Sequence, residues 1–187
     1  MKTIKKRIEK HLKGKKVLLF FVLTNIIYAI MLTVTIPKTM RFSKGMKLLD
    51  MMPTGYDSIY INSLFEALGE QGRSFYLYNQ IPIDMVYPFL FAISYSLLLA
   101  FFLKKLNSME SIWFYLSLLP IVAGLADYLE NFGIVNMLLS YPNQSEAVMK
   151  FTSVASLLKS MTTSIYFVAL LFILGILAIK SIKKRQG

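Results

Sequence analysis

Four apolar segments long enough to cross a membrane constrain this chain more than any other feature. They cover residues 17–36, 81–103, 112–139 and 151–179. A helix needs about 20 residues to cross a hydrocarbon core of roughly 30 Å, and each segment reaches that length. Hydrophobic residues make up 56% of the sequence and the mean hydropathy is +0.55, which is too apolar for an ordinary soluble domain. The sequence therefore predicts an all-α membrane protein in which residues 1–187 form a single domain.

The first apolar segment follows a lysine-rich stretch and so has the outline of a secretory signal. Its apolar core is longer than the apolar region of a signal peptide, which has roughly 7–15 residues, and no small-residue cleavage site follows it. We therefore expect residues 17–36 to stay in the protein as a transmembrane helix. Short connections join the second segment to the third and the third to the fourth. Because short connections make neighbouring helices antiparallel, the expected fold is an antiparallel bundle of four transmembrane helices.

Basic residues are concentrated on one side of the predicted bundle. The chain has 21 Lys and Arg against 10 Asp and Glu. The basic residues cluster in residues 1–16, at Lys104 and Lys105, and again in residues 180–185. This positive-inside pattern predicts cytoplasmic N and C termini, a cell-membrane location and contacts of both termini with anionic lipid. Nucleic-acid binding is not expected, because no recognisable reading module accompanies the charge.

Cysteine is absent from the sequence, which excludes disulfides, thiolate nucleophiles and thiol metal sites. Thiol oxidoreductases with four transmembrane helices, tetraspanins and claudins are excluded for the same reason. The single histidine, His11, lies in the basic N-terminal segment and is interpreted as incidental.

The long outer connection of residues 37–80 contains a predicted helix of its own. Its apolar residues recur with helical spacing, Asp57 or Ser58 can cap its N terminus, and Gly69 can end it. The apolar residues are Ile61, Leu64, Phe65 and Leu68. We expect a short amphipathic helix that covers the outer end of the bundle or lies in the membrane interface.

A row of polar residues enters the membrane from the outside along the second segment. Its members recur every three or four residues, so they share one face of a continuous helix. They are Arg73, Tyr76, Gln80, Asp84 and Tyr87. Pro82 and Pro88 are expected to bend this helix, which is tolerated where polar side chains or water satisfy the freed backbone groups. The row predicts a polar path from the outer side into the membrane.

Each of the other three segments also carries one polar face. The residues on these faces are Asn25 and Tyr28 in the first segment, Asp127, Glu130 and Asn131 in the third, and Ser156 and Lys159 in the fourth. Hydrocarbon cannot form hydrogen bonds with these groups, so the four polar faces are expected to point at one another.

Glu130 and Lys159 lie at matching depth, roughly 12 Å from the outer ends of their helices at about 1.5 Å rise per residue. A charge near the bilayer centre costs about 2.5–3.5 kcal/mol, so we expect Lys159 to pair with Glu130 or Asp127. Asp84 adds a further carboxyl and leaves an excess of acid. A proton, or a hard cation such as Mg²⁺ or Ca²⁺, would balance it. No other cofactor is expected.

These polar residues predict an outward-facing pocket that binds a small polar or amphipathic ligand, such as a lipid headgroup or a solute. Transport of that ligand is a further possibility and would require a homo-oligomer, because four helices are few for a transporter. The alternative is an intramembrane enzyme in which an Asp or Glu acts on a lipid as general acid or base. A purely structural role as interhelical hydrogen-bonding groups also stays open, above all for Ser156.

Overall fold

A computed structural model describes residues 12–186, with the side chains of residues 12–183. Most of the basic N-terminal segment, and with it the predicted contact with anionic lipid, lies outside the described residues. The described part of the chain is helical apart from short connections and contains no strand. Four of its helices are long and apolar enough to cross a membrane, as the sequence predicts.

The helices are numbered here in chain order. α1 spans Gly14–Met40, α2 spans Ser58–Phe75, α3 spans Ile81–Lys105, α4 spans Leu119–Ser140 and α5 spans Glu146–Gln186. A short 3-10 turn, Leu49–Met51, lies in the connection between α1 and α2. A longer 3-10 segment, Ile112–Leu118, leads into α4. Both α1 and α5 extend beyond the predicted apolar segments at each end.

A π turn precedes a proline at two places in the helices. In α1 the π turn Met31–Thr35 comes directly before the turn that contains Pro37. Between α2 and α3 the π turn Tyr76–Gln80 comes before Pro82. A proline ring clashes with the carbonyl four residues earlier and leaves that carbonyl without its N–H donor. The wider turn relieves the clash, so the bend expected at Pro82 takes the form of a π turn that joins α2 to α3.

α2 buries the apolar face that its residue spacing predicts. The buried side chains are Ile61, Leu64, Phe65 and Leu68. Asp57 caps the helix, because its carboxylate accepts a hydrogen bond of 2.7 Å from the backbone N–H of Tyr60. The predicted amphipathic helix and its N-cap are therefore confirmed.

The predicted end of this helix at Gly69 is confirmed as a break, because the backbone there is non-helical and a second helical part follows directly. Gly69 has a φ of 61° and kinks the helix, but the helical path resumes at once and continues to Phe75. Glycine adopts a positive φ without the steric penalty that a Cβ would bring. The kink lets α2 change direction and lead into the π turn before α3. The connection between α1 and α2 is therefore residues 41–57.

Contacts between the spanning helices follow chain order. α1 packs against α3, α3 against α4, and α4 against α5, whereas the described parts of α1 and α5 barely touch. The close approach of α4 and α5 requires glycine at position 133, since a Cβ there would lie 2.0 Å from Thr152 Oγ1. The four spanning helices therefore do not close into a ring, and a space remains between α1 and α5.

Two apolar clusters pack between the helices. One contains Phe91, Tyr95 and Tyr166. The other contains Phe65 and Ile134. Along α3, α4 and α5 the buried ionisable residues fall between members of the two clusters. The fold therefore places its polar residues in a layer between two apolar ones.

Candidate intramembrane binding site

Lys159 of α5 is the centre of the buried polar layer. Its Nζ forms ion pairs with the Glu130 carboxylate and, at 3.3 Å, with Asp127 Oδ1, and both acids lie on α4. The Asp50 carbonyl accepts a third hydrogen bond from Nζ at 3.5 Å. An ammonium group has three N–H donors, so these contacts use all of them. Glu130 is fully buried and the Lys159 side chain is 17% exposed, so the structure brings the predicted pair together in a place where an unpartnered charge would be costly.

Asp50, which the sequence analysis did not single out, belongs to the same group. The turn Leu49–Met51 inserts between the helices and brings the Asp50 carboxylate to two buried side chains. Tyr76 Oη donates to Oδ1 at 2.6 Å, and Gln80 Nε2 donates to Oδ2 at 3.3 Å. The signal available in the sequence was an aspartate inside the apolar run LLDMM, within an otherwise polar connection.

The same connection covers Glu130. Tyr56 Oη donates to Glu130 Oε1 at 3.4 Å, and the Tyr56 backbone N–H donates to Ser153 Oγ at 2.9 Å. Burial, followed by the nearby Glu130 carboxylate, raises the pKa of Tyr56 above its ordinary value, so the phenol keeps its proton and remains a donor. Residues 49–56, called the plug below, therefore cover this carboxylate from the side of the connection between α1 and α2.

A cavity of about 440 Å³ lies beside the plug. Its ionisable wall consists of Asp50, Asp84, Asp127 and Lys159, and its apolar wall includes Met31, Leu32, Ile36, Phe91 and Ala123. Volumes of about 300–1,000 Å³ are usual for small-molecule sites. Leu32 of α1 and Ser164 of α5 line the cavity and are exposed. Because α1 and α5 barely touch, the cavity lies in the space between them.

Several predicted site residues line this cavity directly. They are Tyr28, Asp84, Tyr87, Asp127 and Lys159. The rings of Tyr28 and Tyr87 stack with their centroids 5.4 Å apart, which joins α1 to α3 at the cavity wall. The cavity thus combines carboxylates, one ammonium group and aromatic faces.

The outer part of the predicted polar row has a different environment. Tyr76 and Gln80 are fully buried against Asp50. Arg73 Nη1 donates to the Phe65 carbonyl at 2.8 Å, and its guanidinium lies 4.1 Å from the centre of the Tyr141 ring. The plug therefore occupies this face of the helix, and its Asp50 carboxylate accepts hydrogen bonds from the buried donors Tyr76 and Gln80. The polar path expected along the face is interrupted at this point.

The remaining predicted residues form hydrogen bonds between or within helices. Ser156 Oγ donates to the Met52 carbonyl at 3.1 Å and so ties α5 to the plug. Asn131 Nδ2 donates to the Asp84 carbonyl at 3.5 Å and ties α4 to α3. Asn25 Nδ2 donates to the Phe21 carbonyl at 2.7 Å, one turn earlier in α1. These contacts position the helices around the cavity.

A hard cation was one predicted means of balancing the excess acid. Within residues 12–186, no group of three or more His, Cys, Asp or Glu side chains is arranged to hold a metal ion. The position between Asp127 and Glu130 is taken by the Lys159 ammonium group.

Comparisons with protein families, curated proteins and solved structures give no match to this chain.

Proposed function

We propose that the protein is a multi-pass cell-membrane protein that binds an amphipathic ligand in the cavity between α1 and α5. The four spanning helices form an antiparallel bundle, and the ligand enters sideways from the lipid. The observation that carries the proposal is the composition of the cavity wall: buried ionisable side chains at one end and an apolar surface leading to the gap between the two helices.

The distribution of charge supports an orientation with both termini in the cytoplasm. Lys13, Lys15 and Lys16 flank the start of α1, Lys104 and Lys105 end α3, and Lys180 and Lys183 lie near the end of α5. In an antiparallel bundle these residues share one side, which the positive-inside rule assigns to the cytoplasm. The plug and α2 then lie on the outer side. The cavity residues Tyr28–Ile36 belong to the second half of α1, so the site lies in the outer half of the membrane.

The cavity wall fits an amphipathic ligand better than a wholly polar solute. A ligand whose polar end lies near Asp84, Asp127 and Lys159 could extend its apolar part past Leu32 and out between α1 and α5. Such a ligand would leave no polar group in hydrocarbon, where unpaired polar groups are costly. The plug closes the outer side, so lateral entry is the shorter route.

The proposal is tested by identifying small molecules that purify with the protein. Ser164 lies on the cavity wall, so Ser164→Trp should fill the opening with an indole ring. Leu171, on the same helix, is 68% exposed and lies outside the cavity wall, so Leu171→Trp is the matched control. We expect mass spectrometry to find an amphiphile with the native protein and with Leu171→Trp, and to find much less of it with Ser164→Trp.

Equal amounts of the amphiphile with both tryptophan variants would contradict the proposal, because they would place the molecule on the general lipid-facing surface. Conversion of the molecule to a product by the purified protein would favour the enzymatic alternative over a binding protein.

A further inference from the structure

We infer that the ligand of this cavity carries a positive charge: an amphiphile with an ammonium or other organic cationic group, held by Asp84 and faced by the Tyr28 and Tyr87 rings. This inference rests on the proposed function and adds the chemical class of the ligand.

The cavity wall carries more carboxylates than ammonium groups. Three carboxylates, Asp50, Asp84 and Asp127, line the cavity together with a single ammonium group, that of Lys159. The three donors of Lys159 already contact Glu130, Asp127 and the Asp50 carbonyl. An anionic headgroup would therefore find no free donor on this lysine and would approach several carboxylates. A cationic group would be attracted by the same wall.

Asp84 has a buried carboxylate oxygen without a hydrogen-bond partner among the described residues. Its side chain lines the cavity and is only 3% exposed, yet its Oδ2 atom has no hydrogen-bond partner among the described residues. By contrast, both oxygens of Asp50 accept hydrogen bonds, from Tyr76 and Gln80. Buried carboxylate oxygens are normally paired, because leaving one unpaired carries the full desolvation cost. A donor on a bound ligand would complete the site.

Aromatic rings line the same cavity as Asp84. Tyr28, Tyr87 and Phe91 all line the cavity, and the Tyr28 and Tyr87 rings stack on each other. Aromatic faces attract organic cations, whereas hard metal ions require about six or more oxygen ligands. The described residues contain no cluster suited to a metal ion, so an organic cation fits this wall better than Mg²⁺ or Ca²⁺.

The test uses three amphiphiles with the same chain length, added to the purified protein in an uncharged sugar detergent. The cationic probe is dodecyltrimethylammonium, the anionic probe is dodecyl phosphate, and the uncharged probe is dodecanol. Binding is measured by equilibrium dialysis of labelled probe. We expect saturable binding of the cation, and weaker or no saturable binding of the other two.

Asp84→Asn tests the role of the carboxylate and keeps its shape. It should weaken binding of dodecyltrimethylammonium by about tenfold or more, which is the range expected for a charged hydrogen-bonding or ionic partner. Glu146→Gln removes an exposed carboxylate outside the cavity and should leave binding unchanged. A second pair of variants serves if Asp84→Asn does not fold: Tyr87→Leu should weaken binding by about threefold or more, while Tyr87→Phe keeps the aromatic face and should retain it.

The outcomes separate this inference from the proposed function. If dodecyl phosphate or dodecanol binds and Ser164→Trp abolishes that binding, the cavity is a ligand site but the inferred positive charge is wrong. Unchanged affinity for the cation in folded Asp84→Asn would also overturn the inference. If none of the three probes binds saturably to the folded protein, both the inference and the proposed function fail.

Discussion

Lys159 shows how a single residue makes the acidic segment of α4 compatible with a membrane interior. Its Nζ contacts Glu130 and Asp127, which lie almost one helical turn apart and therefore on the same side of α4. Removing one member of a buried charged group leaves the others without a partner, whereas replacing the whole group by neutral residues is often tolerated. The energetic role of Lys159 therefore depends on the presence of its two acids.

Lys159→Met should lower the free energy of unfolding by about 3–5 kcal/mol, because both carboxylates would lose their partner. The triple variant Lys159→Met, Asp127→Asn, Glu130→Gln should recover most of that loss. Denaturant titration in detergent, followed by circular dichroism, measures both effects.

Lys150→Met is the matched control for this prediction. Lys150 pairs with Glu146 on the same helix, but both side chains are more than four-fifths exposed. Such a pair contributes less than about 1 kcal/mol. A triple variant no more stable than Lys159→Met alone would mean that the buried ion pairs do not govern stability.

At the scale of helices, the close contact between α4 and α5 holds Lys159 against its acids. Gly133 lies about one turn from Glu130 in α4, and Thr152 lies two turns from Lys159 in α5. Thr152 Oγ1 donates to the Val148 carbonyl at 2.7 Å, which fixes the side chain that faces Gly133. A side chain at position 133 would therefore push the two helices apart near the ion pairs.

Gly133→Ala should destabilise the protein by about 1–3 kcal/mol, as overpacking of a tight contact does. Gly175→Ala in α5 is the control, because a Cβ at position 175 would meet no atom within 4 Å. The control should be neutral or slightly stabilising, since alanine favours helix over glycine by about 1 kcal/mol. Thermal melting of the two variants in the same detergent compares them directly, and equal melting temperatures would contradict the role given to Gly133.

At the scale of the whole molecule, the order of helix contacts determines where the cavity lies. α3 packs against α1 and α4 and more lightly against α5, whereas α1 and α5 each have one principal neighbour and leave the cavity between them. The plug covers Glu130. In the proposed function, the gap between α1 and α5 is the side of the polar layer that faces lipid. The proposed lateral entry follows from this arrangement together with the orientation in the membrane.

The proposed orientation predicts the behaviour of fusion reporters. A reporter active only in the cytoplasm should work when fused after Gly187 or inserted at Asn107, and should be silent within residues 41–57. The reason is the concentration of Lys and Arg near the first two positions. Activity within residues 41–57, with silence at Asn107, would reverse the orientation and place the cavity in the cytoplasmic half of the membrane.

The sequence by itself determined the helical elements and the pairing of the buried charges. Apolar length predicted four spanning helices, and spacing of Ile61, Leu64, Phe65 and Leu68 predicted the buried face of α2. The similar distances of Glu130 and Lys159 from the ends of their helices predicted the contact of Lys159 with the acids of α4. These features depend on residue spacing and segment length within single helices, and both can be read directly from the sequence.

Only the tertiary structure decided how the cavity is closed and where it opens. The contact of Tyr76 with Asp50 and that of Ser156 with Met52 join residues far apart in the chain, and no periodic pattern relates them. The polar row of α2 and α3 therefore looked like an open path, although its outer donors are satisfied by the plug. The gap between α1 and α5 likewise depends on which helices are neighbours. The packing of side chains from all the helices determines those neighbours.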